Sequence, residues 1–405
     1  MMKFLKISGV ILFLVLCLTV SLVIYGQKSI PDEIAVTDKS QIGSGHIFTF
    51  SRLSGAQKSE QEGETYSVSV SLLNIIPVKT SKVHVSKRHY VIPGGDIFGL
   101  KMYSDGVMIV GTGTVETKDG QINPAGNAGI QKGDIILEIN DVKVKSSEDV
   151  SSLFQNCEGR ETKLKLLRGG SELTVSFSPA LSASDGKYKA GLWIRDSAAG
   201  IGTVTYIDPS TGIYGSLGHA VCDTDTGEII PIVDGEAVSA VVTGCYKGTK
   251  GKAGELCGVF SPKHFGSVLI NSESGAYGEA DNISFPYELV PVASKSEVET
   301  GKAQIISTVS SGEKEYYDIE ITKINTNDEN GKNMCVLVTD SDLIDKTGGI
   351  VQGMSGSPII QNGMLVGAVT HVFVNDARKG YAIFAENMLE ISDEIYKNIE
   401  SHDAA

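Results

Sequence analysis

The stretch Gly353-Met354-Ser355-Gly356-Ser357-Pro358-Ile359-Ile360-Gln361-Asn362-Gly363 decides how the C-terminal half of the chain is read. Small residues flank Ser355 on both sides. Gly353 lets the backbone take a tight geometry that aims two N–H groups at one point. Gly356 and Pro358 then turn the chain into a strand at 359–360, followed by a turn and a second strand at 364–369. Alone, the hexamer has two readings. It is either a serine presented beside backbone donors or a Gly/Ser-rich hairpin turn without chemistry.

The totals narrow the choice. A chain of 405 residues suits two or three domains, and 46 glycines favour turn-rich β structure over helix bundles. A net charge of −14 argues against nucleic acid or an anionic membrane surface as the main partner. The six cysteines (Cys17, Cys157, Cys222, Cys245, Cys257 and Cys335) include no CxxC pair. Neither a zinc site nor a disulfide framework is signalled, and unpaired thiols are expected. A bridge from Cys245 to Cys222 or to Cys257 stays open for a domain outside the cytoplasm. No metal or nucleotide motif occurs, so no cofactor is expected.

Lys3 and Lys6 precede an uncharged apolar run over 7–25 that is long enough to span a bilayer. The lysines keep that end cytoplasmic and send the rest outward. Residues 1–26 are therefore read as a signal-anchor or transmembrane segment. Residues 27–63 are polar and read as a linker. Tyr66-Ser67-Val68-Ser69-Val70-Ser71-Leu72 alternates with period two, as a half-buried strand does, and 81–85 alternates likewise. Linker and strands together make a segment over 27–90.

From residue 91 the pattern changes. Pro124-Ala125-Gly126-Asn127-Ala128-Gly129-Ile130, then Gly133-Asp134-Ile135-Ile136-Leu137-Glu138-Ile139-Asn140, resembles a PDZ domain of the bacterial protease-associated type, here bounded at 91–180. Ala125 to Ala128 reads as a small-sided helix, Gly133-Asp134 as a turn, and Ile135, Leu137 and Ile139 as one face of a strand. Residues 147–154 read as the helix beside a peptide groove, capped by Ser147, with Val150 and Leu153 on one face. Such a groove adds a peptide as a strand and receives its terminal carboxylate on backbone N–H groups. The resemblance assigns that receiving loop to Ile97, Phe98, Gly99 and Leu100.

Residues 181–405 carry short valine-rich strands separated by turn signals, which suits a pair of β-barrels or a sandwich. A helix is predicted over 384–399. The 353–358 hexamer resembles the nucleophile loop of chymotrypsin-like serine proteases, and that resemblance implies an oxyanion hole from the N–H groups of Gly353 and Ser355. A serine hydroxyl needs a positioned base. Of seven histidines, His46, His84 and His89 precede the PDZ region, and His402 lies in the tail. His264 reads as part of a surface turn. His219, in Leu217-Gly218-His219-Ala220-Val221, sits at a strand end where a side chain can face a cleft. His371 follows the strand after Ser355 and competes with it. The order His219 before Ser355 agrees with the chymotrypsin-like order. Acidic candidates for a third member are Asp234, Asp340, Asp342 and Asp345.

Gly215-Ser216-Leu217-Gly218-His219, the run 348–363 and Gly367-Ala368-Val369-Thr370-His371-Val372-Phe373-Val374-Asn375-Asp376 resemble the stage IV sporulation protein B peptidase family of endospore-forming bacteria. The order of apolar segment, PDZ and protease fits too. The resemblance implies a mainly β chain: a PDZ domain followed by a chymotrypsin-like β-barrel serine protease with His219, Asp340 and Ser355 as triad. It implies an endopeptidase exported across the forespore membrane, anchored or released between forespore and mother cell. There it would cleave its own N-terminal region and a regulator of an intramembrane metalloprotease, activating late mother-cell sigma factor processing. Asp340 departs from the chymotrypsin-like pattern, where the acid lies nearer the histidine in sequence. Met354 departs as well, occupying the slot where trypsin-like zymogens carry an aspartate that pairs with a new N-terminus. A second reading, from another class, is a non-catalytic PDZ scaffold that recruits membrane partners.

Overall fold

The computed structural model describes residues 2–30, 33–36, 47–52, 65–85, 88–281, 288–310, 312–328 and 331–403. Side chains are described over 12–28, 30, 47–51, 67–83 and, apart from Val233, the described residues from 88 to 401. His46 and the side chains of His84 and His402 lie outside these, as does most of the linker expected over 27–63. The chain forms two compact units: Met1–His89 with Val292–Val298, and Tyr90–Pro291 with Glu299–Ala405.

In the first unit a helix covers Met2–Ser29, and Leu12, Phe13, Leu14 and Leu16 on it are exposed. Among the described residues no helix is long and apolar enough to cross a membrane. The expected span begins among residues 7–11, whose side chains are not described. A four-stranded sheet follows in the order Glu33–Val36, Ile76–Val85, Thr65–Leu72, Phe48–Arg52. Val68, Val70 and Leu72 are buried while the serines between them are not, as the alternation predicts.

The second unit is built on two long antiparallel strands, β1 (Ile97–Thr112) and β2 (Leu192–Ile207), paired from Thr112 opposite Leu192 to Ile97 opposite Thr203 with register shifts at 193–194 and 195–197. They are the centre of a thirteen-stranded sheet and pass through two cores. At one end Val107 and Ile109 of β1, with Leu192 and Ile194 of β2, pack against Ala125, Ile136, Leu164 and helix α1 (Ser147–Asn156). This is the core of the PDZ region. Val150 and Phe154 are the buried residues of α1. Its cap is Ser146 rather than Ser147: the Ser146 hydroxyl accepts from the Asp149 N–H, and the Asp149 carboxylate accepts from the Ser146 N–H. At the other end Phe98, Leu100, Met102 and Val204 pack with Tyr214, Leu217, Ala237 and Val268.

That second core corrects the expected carboxylate loop. Ile97, Phe98, Gly99 and Leu100 lie inside β1, all paired on one edge with β2, and Phe98, Gly99 and Leu100 also on the other with β3 (Ile232–Tyr246). Phe98 and Leu100 are 1% and 3% exposed. With both edges in ladders, no run of N–H groups is left to receive a peptide terminus. Beside α1 lies a cavity of about 690 Å³ lined among others by Val115, Val150, Phe154, Tyr188 and Trp193. β3 pairs in turn with β4 (Glu255–Ser267).

Residues beyond 300 close a six-stranded barrel from β5 (Gly301–Ser307), β6 (Glu315–Ile324), β7 (Met334–Val338), β8 (Pro358–Gln361), β9 (Met364–Phe373) and β10 (Asp376–Phe384), in the order β5-β6-β7-β10-β9-β8. Alternation drives it: Tyr317, Ile319 and Ile321 of β6 and Met334, Val336 and Val338 of β7 point inward. Helix α2 (Ser341–Thr347) leads into the Ser355 loop, and α3 (Ala385–Asp403) ends the chain, covering the helix expected over 384–399. The described strands from Leu192 to Pro291 join the large sheet, so among the described residues the region read as a pair of barrels or a sandwich holds one closed barrel.

Candidate active site

The serine loop is held one peptide at a time. Gln352 C=O accepts from the Leu256 N–H of β4 at 2.9 Å, and Met354 C=O accepts from the Ser357 N–H at 2.9 Å. Thr203 supplies the other two ties: its hydroxyl donates to Gly353 C=O at 2.8 Å, and its N–H donates to Ser355 C=O at 3.0 Å. Four consecutive peptide planes, from 352 to 356, are thus oriented by their carbonyls. Because a peptide's N–H points opposite its C=O, the N–H groups of Gly353 and Ser355 point away from these partners. Neither has an acceptor among the described residues. Two free, fixed donors beside a serine are what an oxyanion hole requires. Gly353 holds φ +96° and Gly356 φ +95°, a region that favours glycine. At Gly356 a Cβ would lie 2.1 Å from Thr203 O and 2.5 Å from Leu217 N. The close approach brings the serine loop against the segment that carries His219.

His219 follows the strand Ile213–Ser216 through Leu217 and Gly218, both at positive φ. A Cβ on Gly218 would sit 2.9 Å from Thr370 Cγ2, so the turn abuts β9. There the Ser355 hydroxyl donates to Thr370 C=O at 2.7 Å. The next residue, His371, stacks on His219 with ring centroids 4.6 Å apart and planes 39° from parallel. Ser355, His219 and His371 therefore meet around Thr370. The Thr370 Oγ1, on a residue 3% exposed, is a buried polar atom without a hydrogen-bond partner among the described residues. Leaving such a group unmade costs about 1–3 kcal/mol.

The His219 tautomer follows from its partner. Nδ1 lies 2.8 Å from Ala220 C=O. A carbonyl only accepts, so Nδ1 carries the proton and Nε2 is left as the basic nitrogen. Burial pulls the His219 pKa below its ordinary value, partly opposed by the Ala220 bond. Burial, then His219 and Lys332, lower His371 to about 4. Both imidazoles are neutral at pH 7. The Ser355 hydrogen is directed at Thr370 rather than at His219, a loose arrangement common in sites without substrate.

Asp340 is not brought to either histidine. It caps α2: Oδ1 accepts from the Asp342 N–H at 2.9 Å and the Leu343 N–H at 3.0 Å, and Oδ2 accepts from the Asp318 N–H at 3.2 Å. Asp342 pairs with Lys346 at 2.7 Å, and Asp234 accepts from the Gly235 N–H. Among the described residues neither His219 nor His371 has a carboxylate hydrogen-bond partner. His264 does bond a carboxylate, Asp281, at 2.5 Å, and it lies on β4. Met354 is fully buried. Sequence reasoning missed Thr203 and Leu256. Thr203-Val204-Thr205 reads as an ordinary alternating strand, and only the burial of both hydroxyls, at 1% and 0% exposure, shows that they serve carbonyls elsewhere.

The chain is similar in parts to several known proteins. The PDZ domain family matches residues 123–168. A protein of Lactococcus lactis subsp. lactis (strain IL1403) named "Putative zinc metalloprotease LL2128" is 31% identical over 104 residues, 24% of this chain and 24% of that protein. The chain thus spans about a quarter of the length of that curated relative. Among solved structures, the inactive form of the Rv3671c protease is 14% identical and covers 47% of this chain and 81% of its own, at a TM-score of 0.28. An inactive serine-to-alanine mutant of Rv3671c from M. tuberculosis H37Rv is 13% identical over 47% and 80%, at 0.26. The description "SpoIVB peptidase S55" matches residues 186–389, which take in His219, the Thr203 ties, the barrel and the Ser355 loop. That span is just over half of the sequence, and the chain belongs to the SpoIVB peptidase S55 family.

Proposed function

We propose that the chain is a serine endopeptidase in which the Ser355 hydroxyl attacks a peptide carbonyl and His219, through Nε2, takes its proton. The N–H groups of Gly353 and Ser355 receive the oxyanion. The observation that carries this reading is the pair of unengaged N–H groups next to a serine whose hydroxyl shares Thr370 with the His219–His371 stack. Asp340, implied by the family as the acid, supports catalysis in our reading by capping the helix that leads to the loop. The imidazole proton is held by Ala220 C=O. Family membership extends the proposal. The chain acts during sporulation after export across the forespore membrane, its apolar N-terminal segment serving as signal or anchor. It cleaves its own N-terminal region and a membrane-associated regulator of an intramembrane metalloprotease, so that late mother-cell sigma factor processing begins. Buried Met354 offers no carboxylate to a new N-terminus, which leaves control to export, self-cleavage and the PDZ domain. The test is covalent labelling by a fluorophosphonate followed by peptide mapping. An adduct on Ser355, lost in His219→Ala, is expected. No adduct, or one on another residue, would leave a non-catalytic PDZ scaffold as the better account.

A further inference from the structure

Gly353 is the weak point of the oxyanion loop. As glycine it passes between left- and right-handed backbone at little cost, so its own φ preference does not keep its N–H aimed. What keeps it is the pair of peptide planes on either side. The plane before it is tied by Leu256 N–H to Gln352 C=O, and the plane after it by the Thr203 hydroxyl to Gly353 C=O. Thr203 also holds Ser355 C=O by its N–H and accepts from the Leu217 N–H at 3.3 Å, two residues before His219. One buried residue therefore touches the oxyanion loop, the nucleophile and the segment that carries the base. Resting on the serine-protease reading, we infer that Thr203 is a positioning residue for catalysis, and that its hydroxyl holds the Gly353 N–H toward the oxyanion.

Neighbouring Thr205 provides an internal control. Its hydroxyl donates to Gly356 C=O at 2.8 Å, is equally buried, and lies on the same strand. That bond falls beyond Ser355, whereas the Gly353 C=O peptide tied by Thr203 lies between the two peptides whose N–H groups form the hole. A merely structural role predicts equal consequences for losing either hydroxyl; a positioning role predicts unequal ones.

The experiment measures the second-order rate of Ser355 phosphonylation by a fluorophosphonate, whose phosphoryl oxygen occupies the oxyanion position, together with the melting temperature. It compares the full chain with Thr203→Val, Thr203→Ser and Thr205→Val. Thr203→Val is expected to slow labelling about 10- to 100-fold, somewhat less than removal of an oxyanion donor itself. Thr203→Ser restores it to within about threefold, since the hydroxyl returns. Thr205→Val stays within about threefold of wild type while melting lower by as much as Thr203→Val. Equal slowing in the two valine variants, or failure of serine to rescue, overturns the inference and leaves the nucleophile reading intact. An unlabelled wild-type chain overturns both.

Discussion

Substitution of Asp340 separates two roles that a single aspartate can play. In the structure its carboxylate accepts three backbone hydrogen bonds, two of them from the first turn of α2. Replacing an N-cap aspartate by alanine costs about 0.5–2 kcal/mol, and stranding the Asp318 N–H adds about 1 kcal/mol. Asp340→Ala should therefore lose about 1.5–3 kcal/mol of stability. The damage reaches the site because α2 runs through Thr347, whose hydroxyl binds Leu343 C=O and Gly349 C=O, into the loop that ends at Gly353. Asparagine keeps one oxygen for the two cap bonds. It gives up the favourable charge at the helix start, about 0.3–1 kcal/mol, and the Asp318 bond, about 1 kcal/mol, so Asp340→Asn should cost about 1–2 kcal/mol and keep activity within about tenfold. The assay is denaturant unfolding beside the cleavage rate for both variants. An acid that holds the catalytic imidazole behaves otherwise: its amide variant loses about 10⁴-fold in rate with little change in stability. That outcome for Asp340→Asn would refute the capping account and return Asp340 to the histidine.

Other outcomes follow from the same geometry. Ser355→Ala should abolish cleavage while changing stability by no more than about 1 kcal/mol, since one hydrogen bond to Thr370 is lost; calorimetry beside the activity assay checks this. Gly356→Ala should cost more than about 3 kcal/mol and inactivate the chain, because its Cβ meets backbone at 2.1 Å and φ is +95°; soluble, active protein would speak against the loop's placement. Activity should keep its plateau to a pH below the ordinary histidine value of about 6.5, because burial depresses His219, and a pH profile with an acid limb above that value would contradict it. Stability should also fall with acid. His371 resists protonation down to about pH 4 in the fold while the unfolded chain takes up the proton near 6.5, so stability present above 6.5 is lost as pH falls toward 4. The shift alone would give about 3 kcal/mol; His371 is exposed, and solvent screening reduces this to about 1 kcal/mol. His371→Phe should flatten that part of the unfolding curve.

Much of this was legible in the chain. The Gly353-Met354-Ser355-Gly356 pattern carries its own turn geometry, and alternation in 66–72 and 317–321 marks which side chains face inward. In the PDZ core Ile139 faces inward as its alternation suggests, but Ile136 joins it in place of Ile135 and Leu137, because an irregularity in the pairing with 162–168 breaks the alternation. What could not be read depends on strand partners. Ile97-Phe98-Gly99-Leu100 has the composition of an exposed peptide-binding edge or of a central strand, and only the presence of β2 and β3 on either side decides. Asp340 before a helix fits a cap as well as an acid; the capping pattern Asp340-Ser341-Asp342-Leu343 is local, whereas contact with His219 is not. The Thr203 ties join residues 150 positions apart, a distance over which periodicity carries no signal.

The central claim is that Ser355, activated by His219, cuts peptide bonds. It is tested most directly by incubating the purified chain from residue 27 onward and following the mass of its N-terminal region over time, beside Ser355→Ala and His219→Ala. Progressive trimming in the wild-type chain, none in Ser355→Ala, and at least about 10³-fold slower trimming in His219→Ala is the predicted result. Trimming of Ser355→Ala at the wild-type rate would contradict it.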